Sequence, residues 1–139
     1  MTRQDHTNQL NLHYTILCED VRLEVGQKLS LIGVFYAIQV PQLPINVLKL
    51  VILNHWSGDG QYLSEVRILT PDRTQPIAVS QPSAFEIPPD GYADNVTFFT
   101  NVSFDKAGTH IVQIYIDGNI ATERPLYIHH VPAPPSTVN

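Results

Sequence analysis

The sequence predicts an all-β fold, an antiparallel β-sandwich of about seven to nine strands. Short apolar segments are separated by turns, for which the chain supplies 11 Pro and 7 Gly residues. No segment repeats apolar residues at helical spacing for more than about two turns, so helices are not expected. Near the C-terminus, a strand, a tight corner, a second strand and a hairpin follow one another directly, as in many sandwiches.

The hairpin is the best-defined element of the sequence. Apolar residues alternate in the strand before Asp117-Gly118-Asn119, and alternate residues of a strand share one face. Gly and Asn tolerate positive φ, so these three residues favour a turn. A three-residue loop would pair Ile116 with Ile120 and direct the even-numbered residues of the return strand inward. With two residues from other strands, the predicted inward-facing set is Val112, Ile114, Ile116, Leu126, Ile128, Leu31 and Phe98.

The segment from Asp105 to His110 resembles the corner motif of immunoglobulin-like folds, which makes the predicted sandwich immunoglobulin-like. In that motif, an aromatic residue bonds back to the backbone of the corner. Tyr is usual at the position that His110 occupies here. We expect a structural role for His110, because no nucleophile or acid lies at a spacing that would support a general base.

Other strands are predicted from apolar runs and their interruptions. Residues 28–40 are apolar on both faces, which favours a long central strand. Residues 46–56 form the next strand, followed by a loop at residues 57–60. Pro82 interrupts two short strands and predicts an edge there, because Pro cannot donate to a ladder. A change of apolar phase predicts a bulge or break near Glu19-Asp20.

One domain is predicted over residues 13–130, with a flexible leader at 1–12 and a Pro-rich flexible tail at 131–139. The net charge of −5 and the eight scattered Lys and Arg residues argue against nucleic-acid binding. The most apolar run, residues 47–53, is too short for a membrane-spanning helix. The leader has no apolar segment and Cys18 is the single cysteine, so we expect a cytoplasmic protein without a disulfide.

No motif for catalysis, metal binding or a cofactor is present, and we expect a protein that is not an enzyme. Cys18 lies in an alternating apolar strand, where a buried small hydrophobe is the favoured interpretation. His129 and His130 are adjacent in a strand and therefore face opposite sides. The six His residues contain no pair at zinc-ligand spacing.

The segment around Trp56 is the candidate binding site. Trp56 precedes a Gly-containing loop with Asp59 and Tyr62, and Tyr92 lies elsewhere in the chain. Together these residues would form an aromatic platform for a sugar or a partner, since Trp and Tyr are favoured at interfaces. The alternative is a core Trp at the end of a strand.

The stretch from Cys18 to Phe35 resembles the opening of an uncharacterised bacterial family of small proteins. It contains Cys-x-Asp-x-Arg-x-Glu, then Gly-x-Lys and a Leu-x-Gly segment that ends in an aromatic residue. A Pro-rich turn, a Gly-Asp-Gly loop and the final hairpin are also similar, so the resemblance extends over most of residues 14–129. The charged residues Asp20, Arg22 and Glu24 would form either a small ion-pair network or a recognition edge.

The leading functional hypothesis is a non-enzymatic module for protein interaction or structure, which either self-associates or binds another protein. The second hypothesis is a small-ligand or carbohydrate-binding module that uses the aromatic loop around Trp56. A hydrolase with an unrecognised site is the third.

Overall fold

The computed structural model describes residues 10–132, and within that range the chain forms nine β-strands and no helix. The prediction of an all-β fold is confirmed. Residues 1–9 of the predicted leader and 133–139 of the predicted tail lie outside the described residues, whereas Asn11 and Leu12 already belong to the first strand. The strands are β1 (Asn11–Cys18), β2 (Asp20–Glu24), β3 (Lys28–Ile32), β4 (Ala37–Val40), β5 (Ile45–Leu69), β6 (Pro76–Val79), β7 (Ser83–Phe104), β8 (Gly108–Ile116) and β9 (Asn119–His130).

Seven of these strands form one sheet, and β2 and β3 form a separate hairpin. The first part of β5 pairs with β1 and with most of β7. Its last part pairs with β6 and β8, and the sheet continues from β8 through β9 to β4. The sheet is mixed rather than purely antiparallel, because β4 enters at its edge parallel to β9.

Strands β5 and β7 bend together, and this bend curls the sheet around the core. Gly58 pairs with Gly91 and Gly60 pairs with Ile87, so Asp59 alone lies opposite residues 88–90. Such bulges bend a strand and increase its twist. The predicted loop at 57–60 is therefore a bulge within a continuous strand, where Gly58 and Gly60 have positive φ. The two halves of β5 then contribute side chains to one core.

The core contains side chains from both halves of the curled sheet. Of the predicted inward-facing residues, five are buried: Val112, Ile114, Ile116, Leu126 and Ile128. Phe98 was assigned to the wrong face and is 56% exposed. Its neighbours Thr97 and Phe99 point inward. At Asn101, which has a φ of 56°, the inward-pointing residues change from odd-numbered to even-numbered positions. Leu31 is only partly buried, in the β2–β3 hairpin.

The predicted long strand over residues 28–40 is divided in two. Gly33 has a φ of 67°, a left-handed conformation that interrupts extended backbone. The first piece, β3, pairs with β2 across a turn at Gly26-Gln27, and the second piece, β4, pairs with β9. The predicted break near Glu19-Asp20 is present, because Glu19 separates β1 from β2.

The final hairpin has a two-residue turn instead of the three-residue loop. Ile116 pairs with Asn119, and Asp117 and Gly118 have φ values of 52° and 84°. Positive φ at both central residues is the type I′ geometry that matches strand twist. A bulge after Ile114 then changes the register, so that Ile120 pairs with Tyr115 and lies half exposed.

The corner before β8 has the structure that its motif predicts. His110 is buried, and its Nδ1–H donates a 3.3 Å hydrogen bond to the carbonyl oxygen of Gly108. The imidazole also packs edge-on against Phe104, with ring centroids 5.0 Å apart. Burial lowers the pKa of His110, which favours the neutral ring. These contacts support the structural role.

We expect the stability of the protein to fall in acid partly because of Glu123. Arg73 donates to both carboxylate oxygens at 2.9 and 2.7 Å, and with Gln113 it lowers the pKa of Glu123 from 4.5 to about 2. A lowered folded-state pKa stabilises the protein above the unfolded pKa, and this stabilisation is lost as the pH falls from 4.5 towards 2.

The variant Glu123→Gln should therefore lose about 1 kcal/mol of unfolding free energy at pH 7 and almost nothing at pH 2. Urea unfolding across this pH range measures the difference. Glu24→Gln, on the exposed strand β2, is the matched control. An equal loss for Glu123→Gln at both pH values would contradict the assignment.

Candidate interaction face

Two of the four predicted site residues are buried, so the predicted platform does not form. Trp56 is 2% exposed and Tyr62 is 5% exposed, and both rings contact Phe85 in the core. The Tyr62 hydroxyl donates a 2.6 Å hydrogen bond to the backbone oxygen of Asp59. Strand alternation explains the outcome, because it directs Trp56 inward and its neighbour His55 outward. Tyr92 is the exposed member of the set, at 63%.

Tyr92 belongs to a row of stacked rings across three strands. His55 of β5 lies between Tyr14 of β1 and Tyr92 of β7, with ring centroids 4.8 and 5.3 Å apart and planes within 12°. These distances are close to the spacing of neighbouring strands, so the rings stand beside one another and cover each other's faces. His55 is therefore covered on both faces, whereas Tyr14 and Tyr92 are each covered by His55 on one face.

One short hydrogen bond holds this row in place, and a second lies beside it on the same face. Asp94 accepts a 2.6 Å hydrogen bond from Nδ1 of His55. Ser57 lies 2.6 Å from Nε2 of His13, which reaches the same face because a bulge between Leu12 and Tyr14 shifts the register of β1. Such bulges re-aim side chains.

These pairs do not form a catalytic triad. Ser57 and Asp94 contact different histidines, and the rings of His13 and His55 are 5.8 Å apart. A triad requires one histidine to bridge the nucleophile and the acid. Within residues 10–132, no group of three His, Cys, Asp or Glu side chains is arranged to hold a metal ion.

An apolar surface continues from this row along the outward side of β1, β5 and the second half of β7. We call this surface the outer face. Phe98 is 56% exposed and Leu48 is 71% exposed. Ile16 and Val96, which both pair with the buried Leu53, are partly exposed on the same face. Sequence reasoning missed this surface, although residues 47–53 are almost continuously apolar and such a run indicates two apolar faces.

The opposite outer surface, on β5, β8 and β9, is mainly polar, although the apolar Ile120 at the end of the β8–β9 hairpin is half exposed on it. Arg67 lies 4.3 Å from the ring centroid of Tyr115 and forms a 3.2 Å ion pair with Glu65. Gln113 donates a 2.9 Å hydrogen bond to Glu123. Here long polar side chains form hydrogen bonds and ion pairs with each other, whereas the outer face of β1, β5 and β7 presents apolar groups to solvent.

A groove of about 800 Å³ lies beside the outer face, between the β2–β3 hairpin and the start of β5. Its charged lining includes Asp20, which forms a 3.3 Å ion pair with Lys49 instead of the predicted network with Arg22 and Glu24. The backbone N–H of Val21 and then Lys49 lower the pKa of Asp20. Cys18 is fully buried at this end of β1, and burial raises the pKa of its thiol.

Comparison with known proteins assigns the chain to a family. A model described as a family of unknown function, DUF6941, matches residues 13–129. The chain belongs to this family. The match agrees with the extent of the resemblance found in the sequence, and the DUF6941 domain includes parts of all nine strands. No curated protein sequence matches the chain.

The fold of this DUF6941 domain also occurs within a larger enzyme. The structure of the Pseudomonas fluorescens alkylpurine DNA glycosylase AlkC, bound to DNA containing an abasic site analog, aligns with 87% of the chain at a TM-score of 0.54 and 8% identity. The aligned region is 30% of the glycosylase chain, and at this identity the similarity concerns the fold alone. Within residues 10–132 there is no helix long and apolar enough to cross a membrane.

Proposed function

We propose that this protein is a non-enzymatic interaction module that binds a protein partner through the outer face of β1, β5 and β7. The observation that carries the proposal is the contrast between the two outer surfaces of the curled sheet. One has exposed Phe98, Leu48 and Tyr92, and the other is covered by hydrogen-bonded polar side chains. Contiguous exposed apolar patches mark interaction sites in soluble proteins.

The composition of the outer face fits a protein partner better than a small ligand. Aromatic residues are enriched at interfaces, where they bury a large area with little loss of conformational freedom. The stacked rings of Tyr14, His55 and Tyr92 are already ordered by one another, which reduces the entropic cost of binding. Asp94 is hydrogen-bonded to His55, so a partner would cover few unpaired polar groups.

We favour a protein partner over a carbohydrate, because the carbohydrate hypothesis relied on Trp56, which is buried. We further propose an immunoglobulin-like sandwich, which the His110 corner supports, and a bacterial, cytoplasmic protein. The opening motif supports the origin, and the single free, buried cysteine supports the compartment.

Replacement of one exposed ring tests the proposed face. Phe98→Lys introduces a charge at the centre of the patch without removing a core side chain, because Phe98 points away from the core. Ile120→Lys is the matched control, since Ile120 is 50% exposed in the distant β8–β9 hairpin. The tagged proteins are used to recover partners from extracts of the native host.

The wild type and Ile120→Lys should retain the same partner in a fixed ratio, and Phe98→Lys should lose it with an unchanged melting temperature. Equal recovery by all three proteins would place the interface elsewhere. Failure of the wild type to retain any partner would argue against an interaction module.

A further inference from the structure

Strand β7 has one unpaired edge. Between Gly91 and Phe104 it pairs with β5, and among residues 10–132 no other strand pairs with this part of β7. The regular stretch extends from residue 92 to 100, because Asp90 and Asn101 on either side have φ values of 56°. Alternate residues of this nine-residue stretch therefore direct their backbone N–H and C=O groups to the open edge, which is a template for pairing with another strand.

The edges formed by β6, β4, β1 and β2 carry the features that usually prevent such pairing. Strand β6 has four residues and begins with Pro76, and β4 also has four residues. Strand β1 has a bulge after Leu12, and β2 carries Arg22 and Glu24. In contrast, residues 92–100 contain no Pro, Lys or Arg and are rich in Thr, Phe and Val. These residue types favour strands and leave the β7 edge open to a partner.

A second copy of the chain fits this edge. In an antiparallel pair, residues that lie opposite each other have their side chains on the same face of the sheet. A two-fold axis meets this condition when it passes through a residue position, so that this residue lies opposite the same residue of the second copy. The full stretch 92–100 pairs when that residue is Val96. Asp94, the single charge in the stretch, then lies opposite Phe98. The two Asp94 residues are four positions apart along the strands, roughly 13 Å, so their repulsion is weak.

We propose that the protein forms a two-fold dimer in which β7 pairs with its copy, antiparallel and centred on Val96. The dimer joins two curled sheets through backbone hydrogen bonds, as in recognition by strand addition. The dimer forms through the backbone edge of β7, so the purified protein tests it without the docked partner, although Tyr92 and Phe98 of the outer face lie within the paired stretch.

A cysteine cross-link tests both the dimer and its register. Val96→Cys places two thiols opposite each other, and paired Cα atoms in a sheet are close enough for a disulfide. Thr100→Cys is the control on the same strand, because its copies would be eight positions apart, roughly 26 Å. The native Cys18 is fully buried and should not react. Each purified variant is oxidised with diamide and analysed by non-reducing electrophoresis, and the wild type is analysed by light scattering.

The proposal predicts a wild-type mass of twice 15.6 kDa and at least tenfold more cross-linked dimer for Val96→Cys than for Thr100→Cys. A monomeric wild type at 0.1 mM, the order of concentration at which weak pairs still form, would overturn the dimer. Equal cross-linking of the two variants would overturn pairing centred on Val96.

Discussion

Replacing Trp56 with Ala should destabilise the protein by about 3–5 kcal/mol, the range measured for large aromatic residues in cores. The indole is 2% exposed and packs against Phe85. Chemical unfolding followed by circular dichroism measures the loss without relying on the deleted fluorophore. A loss below about 1 kcal/mol would mean that the ring is not part of the core.

Trp56→Phe provides a control that separates packing from hydrogen bonding. The indole Nε1 has no hydrogen-bond partner among the described residues, so Phe removes volume but no bond. We expect less than half of the loss caused by Ala. In the wild type, the single Trp should emit at short wavelength and resist quenching by iodide, whereas red-shifted, quenched emission would contradict its burial.

Ile114→Ala should cost roughly 2–5 kcal/mol, as truncations of buried aliphatic residues do. Ile114 is fully buried and pairs with Val66 on β5 and Thr122 on β9. Ile120→Ala, in the same hairpin but half exposed, should change stability by less than about 0.5 kcal/mol. Denaturant unfolding gives both values. Similar losses for the two variants would show that the inward face of β8 was assigned incorrectly.

The local parts of the fold could be predicted from sequence because they depend on neighbouring residues. Alternation alone placed Val112, Ile114 and Ile116 on the inward face, and turn residues located both hairpins. The details of the final turn were not accessible in this way. A loop of two or three residues is compatible with Asp-Gly-Asn, and the bulge after Ile114 compensates for the shorter loop.

The long-range parts of the fold depend on pairing between distant segments, which a single sequence does not specify. Nothing in residues 37–40 indicates that β4 runs parallel to β9. Similarly, Ser57-Gly58-Asp59-Gly60 has the composition of a loop, and it becomes a bulge because β7 pairs on both sides of it.

In the candidate site, too, some features depend on neighbouring residues and others depend on pairing between distant segments. The sequence analysis named Tyr92 as a site residue, but its neighbours Tyr14 and His55 come from other strands and could be found only from the register. The face of Phe98 was wrong because the positive φ of Asn101 changes the phase within one strand.

The measurement that tests the proposed outer face most directly is the affinity of the recovered partner for three purified proteins. We expect Ile120→Lys to bind like the wild type. Phe98→Lys should bind at least about 30-fold more weakly, the effect of losing roughly 2 kcal/mol at an interface hot spot. Equal affinities for all three proteins would show that the partner does not bind the outer face of β1, β5 and β7.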